Sequence, residues 1–241
     1  MKKTTLILVG LISCFFTSCN SDDNAAKVEA ESPQTLVKKM SIKVYSGGNE
    51  PFTGTFDFTY NENKQVTSIE KKVIQFSGQI TESQNYTYNY SENKVISYAV
   101  LDEVRNVSYL NNNILNLGLG SDLVYDQNGN IIKDLWEKEL VYQNNNQTGT
   151  VSEPNMYTYD NGNNPFLNNN IYFKTVFGEQ LKLYNSAFIL RTPNNIINED
   201  HLIDIVHEIH YGANHFPEKI VTLQAGSFNI LEELSFEYVD L

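Results

Sequence analysis

The sequence predicts an all-β chain: an antiparallel meander of hairpins in a curved open sheet or half barrel, with a two-sheet sandwich as the alternative topology. Three observations predict it. Aromatic residues recur at every second position in short runs, asparagine and glycine cluster after those runs, and aliphatic residues follow each cluster. Alternate side chains of a strand share a face, so a period of two marks a half-buried strand. Asparagine tolerates left-handed turn conformations and caps turns with its own side chain. Tyr 15 and Phe 13 against Trp 1 suit pleated, half-buried surfaces, and 41% hydrophobic with 19% charged residues places the 241-residue chain among globular proteins.

The first element is an address. Lys2 and Lys3 precede an apolar run over 6–12, then Phe15, Phe16, Thr17, Ser18 and Cys19. A short basic region, a short apolar region and a small-residue site make a signal peptide, and the run is too short to predict a spanning helix. Both cysteines, Cys14 and Cys19, lie here, which leaves no pair for a disulfide in the folded part. Cys19 is the expected lipidation site, because Asn20-Ser21-Asp22-Asp23-Asn24 follows it. Cys14 is the alternative, since Leu11-Ile12-Ser13 fits a bacterial lipobox better at its first letter. The expected organisation is a lipoprotein signal peptide over 1–18, a flexible acidic tether over 19–34 and one antiparallel β domain over 35–241. A multiply acylated cysteine holds a membrane far better than a single chain does.

The repeats follow in order. Thr55-Phe56-Asp57-Phe58-Thr59-Tyr60 leads into Asn61-Glu62-Asn63-Lys64 and then Val66 and Ile69. Tyr86, Tyr88 and Tyr90 lead into Ser91-Glu92-Asn93-Lys94 and Val95-Ile96. Val124-Tyr125-Asp126-Gln127-Asn128-Gly129-Asn130 precedes Ile131-Ile132. Tyr157-Thr158-Tyr159-Asp160-Asn161-Gly162 and His210-Tyr211-Gly212-Ala213-Asn214-His215 repeat the theme, and Leu234-Ser235-Phe236-Glu237-Tyr238 forms a last strand. An Asn-Gly style turn returns a strand antiparallel, and each hairpin has an apolar face that only a neighbour can bury. Between Pro165 and Leu190 the alternation breaks. Val176, Phe177, Leu181, Leu183 and Tyr184 predict a short helix within 166–187, packed on the sheet.

The pattern resembles the YD-repeat family and, more closely, the YD-repeat-like surface lipoproteins of Bacteroidetes. The resemblance is carried by Cys19 with its acidic tag, by Tyr159-Asp160-Asn161-Gly162-Asn163-Asn164-Pro165-Phe166 and by Asn214-His215-Phe216-Pro217-Glu218-Lys219-Ile220. Only the turns at 125–126 and 159–160 keep Tyr-Asp itself. The resemblance implies an extended antiparallel β fold on a palmitate-bearing anchor in the outer membrane, facing the cell exterior. It hands over no catalytic residues.

Net charge narrows the partners. The chain carries −12, and loss of Lys2 and Lys3 with the signal takes Lys+Arg from 17 to 15 against Asp+Glu 29, about −14. So acidic a chain is not built to neutralise phosphates, and nucleic acid is not an expected partner. The four histidines, His201, His207, His210 and His215, form the one metal-like cluster. On a strand His207 and His210 point apart; on a helix they are neighbours. The repeat pattern favours the strand, so the expectation is no metal and no cofactor. No nucleophile motif is present: Ser227 in Ala225-Gly226-Ser227-Phe228 lacks the elbow pattern, and Gly118 and Gly120 cradle no phosphate. Glu232, Glu233 and Glu237 are carboxylates whose separation the sequence hides.

The expected activity is therefore non-catalytic: a surface binding or structural module presenting aromatic residues to a glycan or a partner protein. Trp136, Tyr88 and Tyr159 are its candidate contact residues. The alternatives are a glycan hydrolase with paired carboxylates and a periplasmic lipid or lipoprotein handler with an apolar groove.

Overall fold

A recurring turn organises the chain. In the computed structural model, which describes residues 34–45, 51–74, 79–181, 190, 192–200, 205–227 and 229–241, four turns share one hydrogen-bond pattern. They begin at Asn61, Asp126, Asp134 and Gly212. In each, the first residue donates its N–H to the carbonyl four residues on, and the fourth donates back to the first. The fourth residues, Lys64, Gly129, Glu137 and His215, are left-handed, with φ of 60°, 82°, 62° and 62°. Asn61, Asp126 and Asp134 also use Oδ1 to accept two further backbone N–H groups each. A short side-chain acceptor at the turn start thus does what the asparagine-rich composition suggested. Asn111-Asn112 and Asn144-Asn145 make tighter two-residue turns with both φ positive.

The residue before the turn matters equally. At Tyr60, Tyr90, Tyr109, Tyr142, Tyr159 and Tyr211 the strand register slips. Such a bulge leaves a carbonyl without its regular ladder partner. Several tyrosines supply a donor there: Tyr60 Oη to the Val37 carbonyl at 2.7 Å, Tyr90 Oη to Val66 at 2.9 Å, Tyr109 Oη to Val95 at 2.8 Å and Tyr238 Oη to Pro217 at 2.7 Å. Tyr159 Oη donates likewise to the Gln147 carbonyl. The rings lie on the apolar face, and the hydroxyls finish the ladder.

The strands are β1 (Thr35–Val44), β2 (Phe52–Tyr60), β3 (Val66–Ile74), β4 (Ile80–Ser91), β5 (Lys94–Val100), β6 (Glu103–Asn106), β7 (Ser108–Leu110), β8 (Asn113–Asn116), β9 (Val124–Tyr125), β10 (Ile131–Lys133), β11 (Leu140–Gln143), β12 (Asn146–Thr150), β13 (Tyr157–Tyr159), β14 (Ile196–Glu199), β15 (Ile205–Tyr211), β16 (Pro217–Gln224) and β17 (Ile230–Asp240). Eleven form one open antiparallel sheet in the order β13-β14-β15-β16-β17-β1-β2-β3-β4-β5-β6. The first and last strands therefore meet in its middle, and Gln34 and Leu241 exchange backbone hydrogen bonds at 3.0 and 3.2 Å. The other six strands form three hairpins, β7–β8, β9–β10 and β11–β12. Single backbone bonds tie these to their neighbours: Val107 to Ile96 at 2.9 Å, Leu123 to Leu115 at 2.7 Å, Ser121 to Leu135 at 3.1 Å. The meander is thus the observed topology, and the two-sheet sandwich is not.

The helix α1 (Ile171–Leu181) lies within the window expected for it. Asn170 caps it, its Oδ1 accepting from Tyr172 N at 2.8 Å. Phe173, Val176, Phe177 and Leu181 are buried at helical spacing. The Phe177 ring sits 6.2 Å from Phe56, 5.6 Å from Phe58 and 5.3 Å from Phe173, and Tyr88 meets Phe173 at 5.2 Å. Tyr172 packs on Tyr109 of β7 at 5.5 Å. The helix therefore joins the sheet to the hairpins through one cluster of rings. Leu183 and Tyr184 lie outside the described residues, as do Cys14, Cys19 and His201. Pro33–Leu241 forms one compact unit.

Two substitutions test the repeat. Tyr60→Phe removes the donor to Val37 and should lower unfolding stability by about 1–2 kcal/mol in urea titrations. Lys64→Gly relieves a left-handed φ and should raise stability by about 1 kcal/mol. Unchanged midpoints in both variants would show that the turn pattern carries no energy.

Candidate functional site

Strand alternation puts Ile69, Lys71 and Val73 on one face of β3, which makes Lys71 a cation on an apolar face. It is only 6% exposed. The register sets Gln84 of β4 opposite Lys71, Tyr86 opposite Val100 of β5, and Tyr98 opposite Arg105 of β6. These side chains and Gln180, at the end of α1, line a cleft of about 950 Å³. That lies at the upper end of the size range of ligand sites.

The wall is held by its own hydrogen bonds. Tyr86 Oη donates to Gln84 Oε1 at 2.9 Å, Gln84 Nε2 donates to Glu82, and Tyr98 Oη donates to the Leu117 carbonyl at 3.0 Å. Arg105 pairs with Glu103 at 2.8 Å, and Lys71 lies 3.8 Å from Glu82. Arg105 and Tyr98 also hydrogen-bond, which lowers the Tyr98 pKa against the larger upward push of burial. Gln180 Oε1 accepts from Tyr88 Oη at 2.6 Å, while its Nε2, buried, meets no acceptor among the described residues. A buried donor without a partner costs about 1–3 kcal/mol, and an acceptor on a ligand would relieve that.

The candidate contact residues divide. Tyr88 is 3% exposed, so the expectation that it presents a stacking face is corrected: its ring packs on Phe173 and its hydroxyl orients Gln180. Tyr159 is half-buried, with its hydroxyl spent on Gln147. Burial raises the pKa of both phenols well above the usual tyrosine range. Trp136 is 61% exposed at the tip of the Asp134 turn and does not line the cleft. β15 places His207 and His210 on opposite faces, and no group of three metal-ligating side chains forms among the described residues. The sequence pattern does not single out Arg105 or Gln180, whereas Lys71 between Ile69 and Val73 breaks the apolar alternation.

A second polar group crosses the sheet elsewhere. His207 Nε2 meets Glu199 Oε1 at 2.8 Å, and His207 Nδ1 meets Thr222 Oγ1 at 3.0 Å. The register then sets Thr222 opposite Glu232 of β17. Burial first, and the Glu199 charge second, push the Glu232 carboxyl up to about 7. Its charged form is thus disfavoured in the folded state. The stability it contributes is full below pH 4.5 and is lost as pH rises through 7. Glu232→Gln should flatten the stability profile between pH 5 and pH 8 by roughly 3 kcal/mol, with the variant the more stable at pH 8. Parallel profiles for the two proteins would refute the assignment.

No protein-family model matches the chain, and no curated protein matches it. A crystal structure of a porin-like protein from Bacteroides uniformis ATCC 8492 is similar at a TM-score of 0.46 and 12% identity, over 84% of this chain and 98% of that one.

Proposed function

We propose that this chain is a membrane-anchored surface lipoprotein whose β domain binds polar, hydroxyl-rich ligands, glycans above all, in the cleft between β3–β6 and α1. The cleft carries the reading. Its volume suits a sugar of one to a few rings, and its walls combine tyrosines with carboxylate, amide and guanidinium groups. Such planar polar groups pair with hydroxyls. The tyrosines of the repeats serve mainly as structure, so the binding surface is this cleft rather than an aromatic-lined sheet face.

The anchor rests on Lys2, Lys3, the apolar run over 6–12, and Cys19 with its acidic tag. No helix among the described residues is long and apolar enough to cross a membrane. Placement on the outer membrane, exposed to the exterior, rests on the resemblance to surface lipoproteins.

A hydrolase using paired carboxylates has one observation in its favour, the Glu232 carboxyl raised to about 7 beside Glu199. It would show as oligosaccharide turnover that Glu232→Gln abolishes. A lipid handler needs an empty apolar interior, whereas α1 and its phenylalanines fill the space beside the sheet.

Two measurements test the proposal. Glycan-array and calorimetric binding by the unit Pro33–Leu241 should give saccharide ligands whose affinity falls at least tenfold in Arg105→Ala. Silence across the array would remove the binding reading. Metabolic labelling with a palmitate analogue should mark the full-length protein and not Cys19→Ser, and protease applied to intact cells should remove it. Labelling that persists in Cys19→Ser and vanishes in Cys14→Ser moves the anchor to Cys14.

A further inference from the structure

A second pocket shares no lining residue with the cleft. It opens where the hairpins β7–β8, β9–β10 and β11–β12 meet the start of α1. Tyr125 comes to it from β9, Tyr142 from β11 and Tyr172 from α1, and all three are half-buried. Tyr86 and Tyr98 of the cleft are 6% and 1% exposed, so the tyrosines of this pocket keep surface that those have lost. Asn113 of β8 and Asn130 of the Asp126 turn add polar groups. The pocket has a volume of about 120 Å³ and is open on one side. An apolar cavity of about 150 Å³ admits a benzene ring, so this one suits a single six-membered ring with one edge in solvent.

Hydrogen-bond accounting narrows what that ring carries. The Tyr172 hydroxyl meets no partner among the described residues: the contacts of Tyr172 are its ring on Tyr109 at 5.5 Å and its N–H on Asn170. The Asn113 side-chain amide has no partner among them either. Asn130 turns Nδ2 to Asp126 and leaves Oδ1 without a donor. None of these three groups is shut off from solvent, so a ligand can reach them. No charged side chain lines the pocket.

Those facts select a ligand class. An ion would lose hydration here and gain no counter-charge. A wholly apolar ring would strand the Tyr172 hydroxyl and the Asn113 amide, at about 1–3 kcal/mol for each unpaired group. A neutral ring edged with hydroxyls avoids both costs. An amide offers a donor and an acceptor side by side, and neighbouring hydroxyls answer both. The C–H groups of a sugar ring carry partial positive charge, which the negative face of a phenol ring attracts. We propose that this pocket binds one neutral pyranose residue. Its hydroxyls pair with Asn113, Asn130 and the Tyr172 hydroxyl, and its ring lies among Tyr125, Tyr142 and Tyr172. The site is separate from the cleft and does not depend on what the cleft binds.

Methyl glycosides of glucose, galactose and mannose test this, beside cyclohexanol, which keeps a six-membered ring without neighbouring hydroxyls. Each is titrated into the unit Pro33–Leu241 and followed by saturation-transfer NMR. At least one glycoside should bind, with an affinity that added salt does not alter. Tyr172→Phe, which keeps the ring on Tyr109, should weaken it about fivefold, and Asn113→Ala about tenfold. Arg105→Ala, in the cleft, should leave it unchanged. Thermal melts verify the fold, and Tyr172→Phe decides the matter if Asn113→Ala is unstable. Glycoside binding lost in Arg105→Ala and kept in Tyr172→Phe would overturn this inference and support the cleft. Cyclohexanol binding as tightly as the glycosides, or no glycoside binding at all, would also overturn it, while longer glycans lost in Arg105→Ala would leave the cleft reading standing.

Discussion

The structure depends on a tyrosine hydroxyl finishing a ladder that a bulge has broken. Where the chain reverses after Tyr60, Tyr90 or Tyr109 the register slips. Each phenol reaches a carbonyl on an earlier strand, Val37, Val66 and Val95, at 2.7 to 2.9 Å, and Val66 and Val95 are the residues opposite the slips at Tyr60 and Tyr90. Tyrosine combines a large apolar body with a polar tip. Phenylalanine would bury the surface and leave the carbonyl unpaired; serine would pair it and bury little. The acceptor at the next position, Asn61 or Asp126, then gathers the turn's own N–H groups. Tyrosine followed by Asn or Asp is therefore one device in two letters, the first closing the strand and the second the turn.

The ring-rich face of the sheet packs against α1. Phe173 and Phe177 of α1 meet Phe56, Phe58 and Tyr88 on the sheet, and Tyr172 meets Tyr109 on the first hairpin. The same packing positions the end of α1 over β3–β6, where Tyr88 hands its hydroxyl to Gln180. The cleft is thus a by-product of the core: where the helix ends, the inner face of the sheet turns from phenylalanine to lysine, glutamine and arginine.

Much of this was legible residue by residue. Phe56, Phe58 and Tyr60 alternate, Asn61 and Asp126 announce turns, and Val176, Phe177 and Leu181 break the period of two at the place where α1 forms. The burial of Tyr88 was not legible. Period two says that Tyr86, Tyr88 and Tyr90 share a face, and it does not say which face receives a helix from some eighty residues away. Lys71 could have been noticed as a charge between Ile69 and Val73, but its meaning needed Tyr98 and Arg105 beside it. His207 and Glu232 are separated in sequence by a whole strand, and only the register sets Thr222 between them.

Local chemistry by itself determined the strands, their turns, the place of the helix and the all-β class, because each depends on side chains within a few positions of one another. Tertiary structure alone decided that β1 pairs with β17, that eleven strands share one sheet, and which polar side chains share a cleft. Those outcomes depend on contacts between residues up to two hundred positions apart. A pattern of period two is identical for every strand that carries it, so it specifies what can pair and not which strand does.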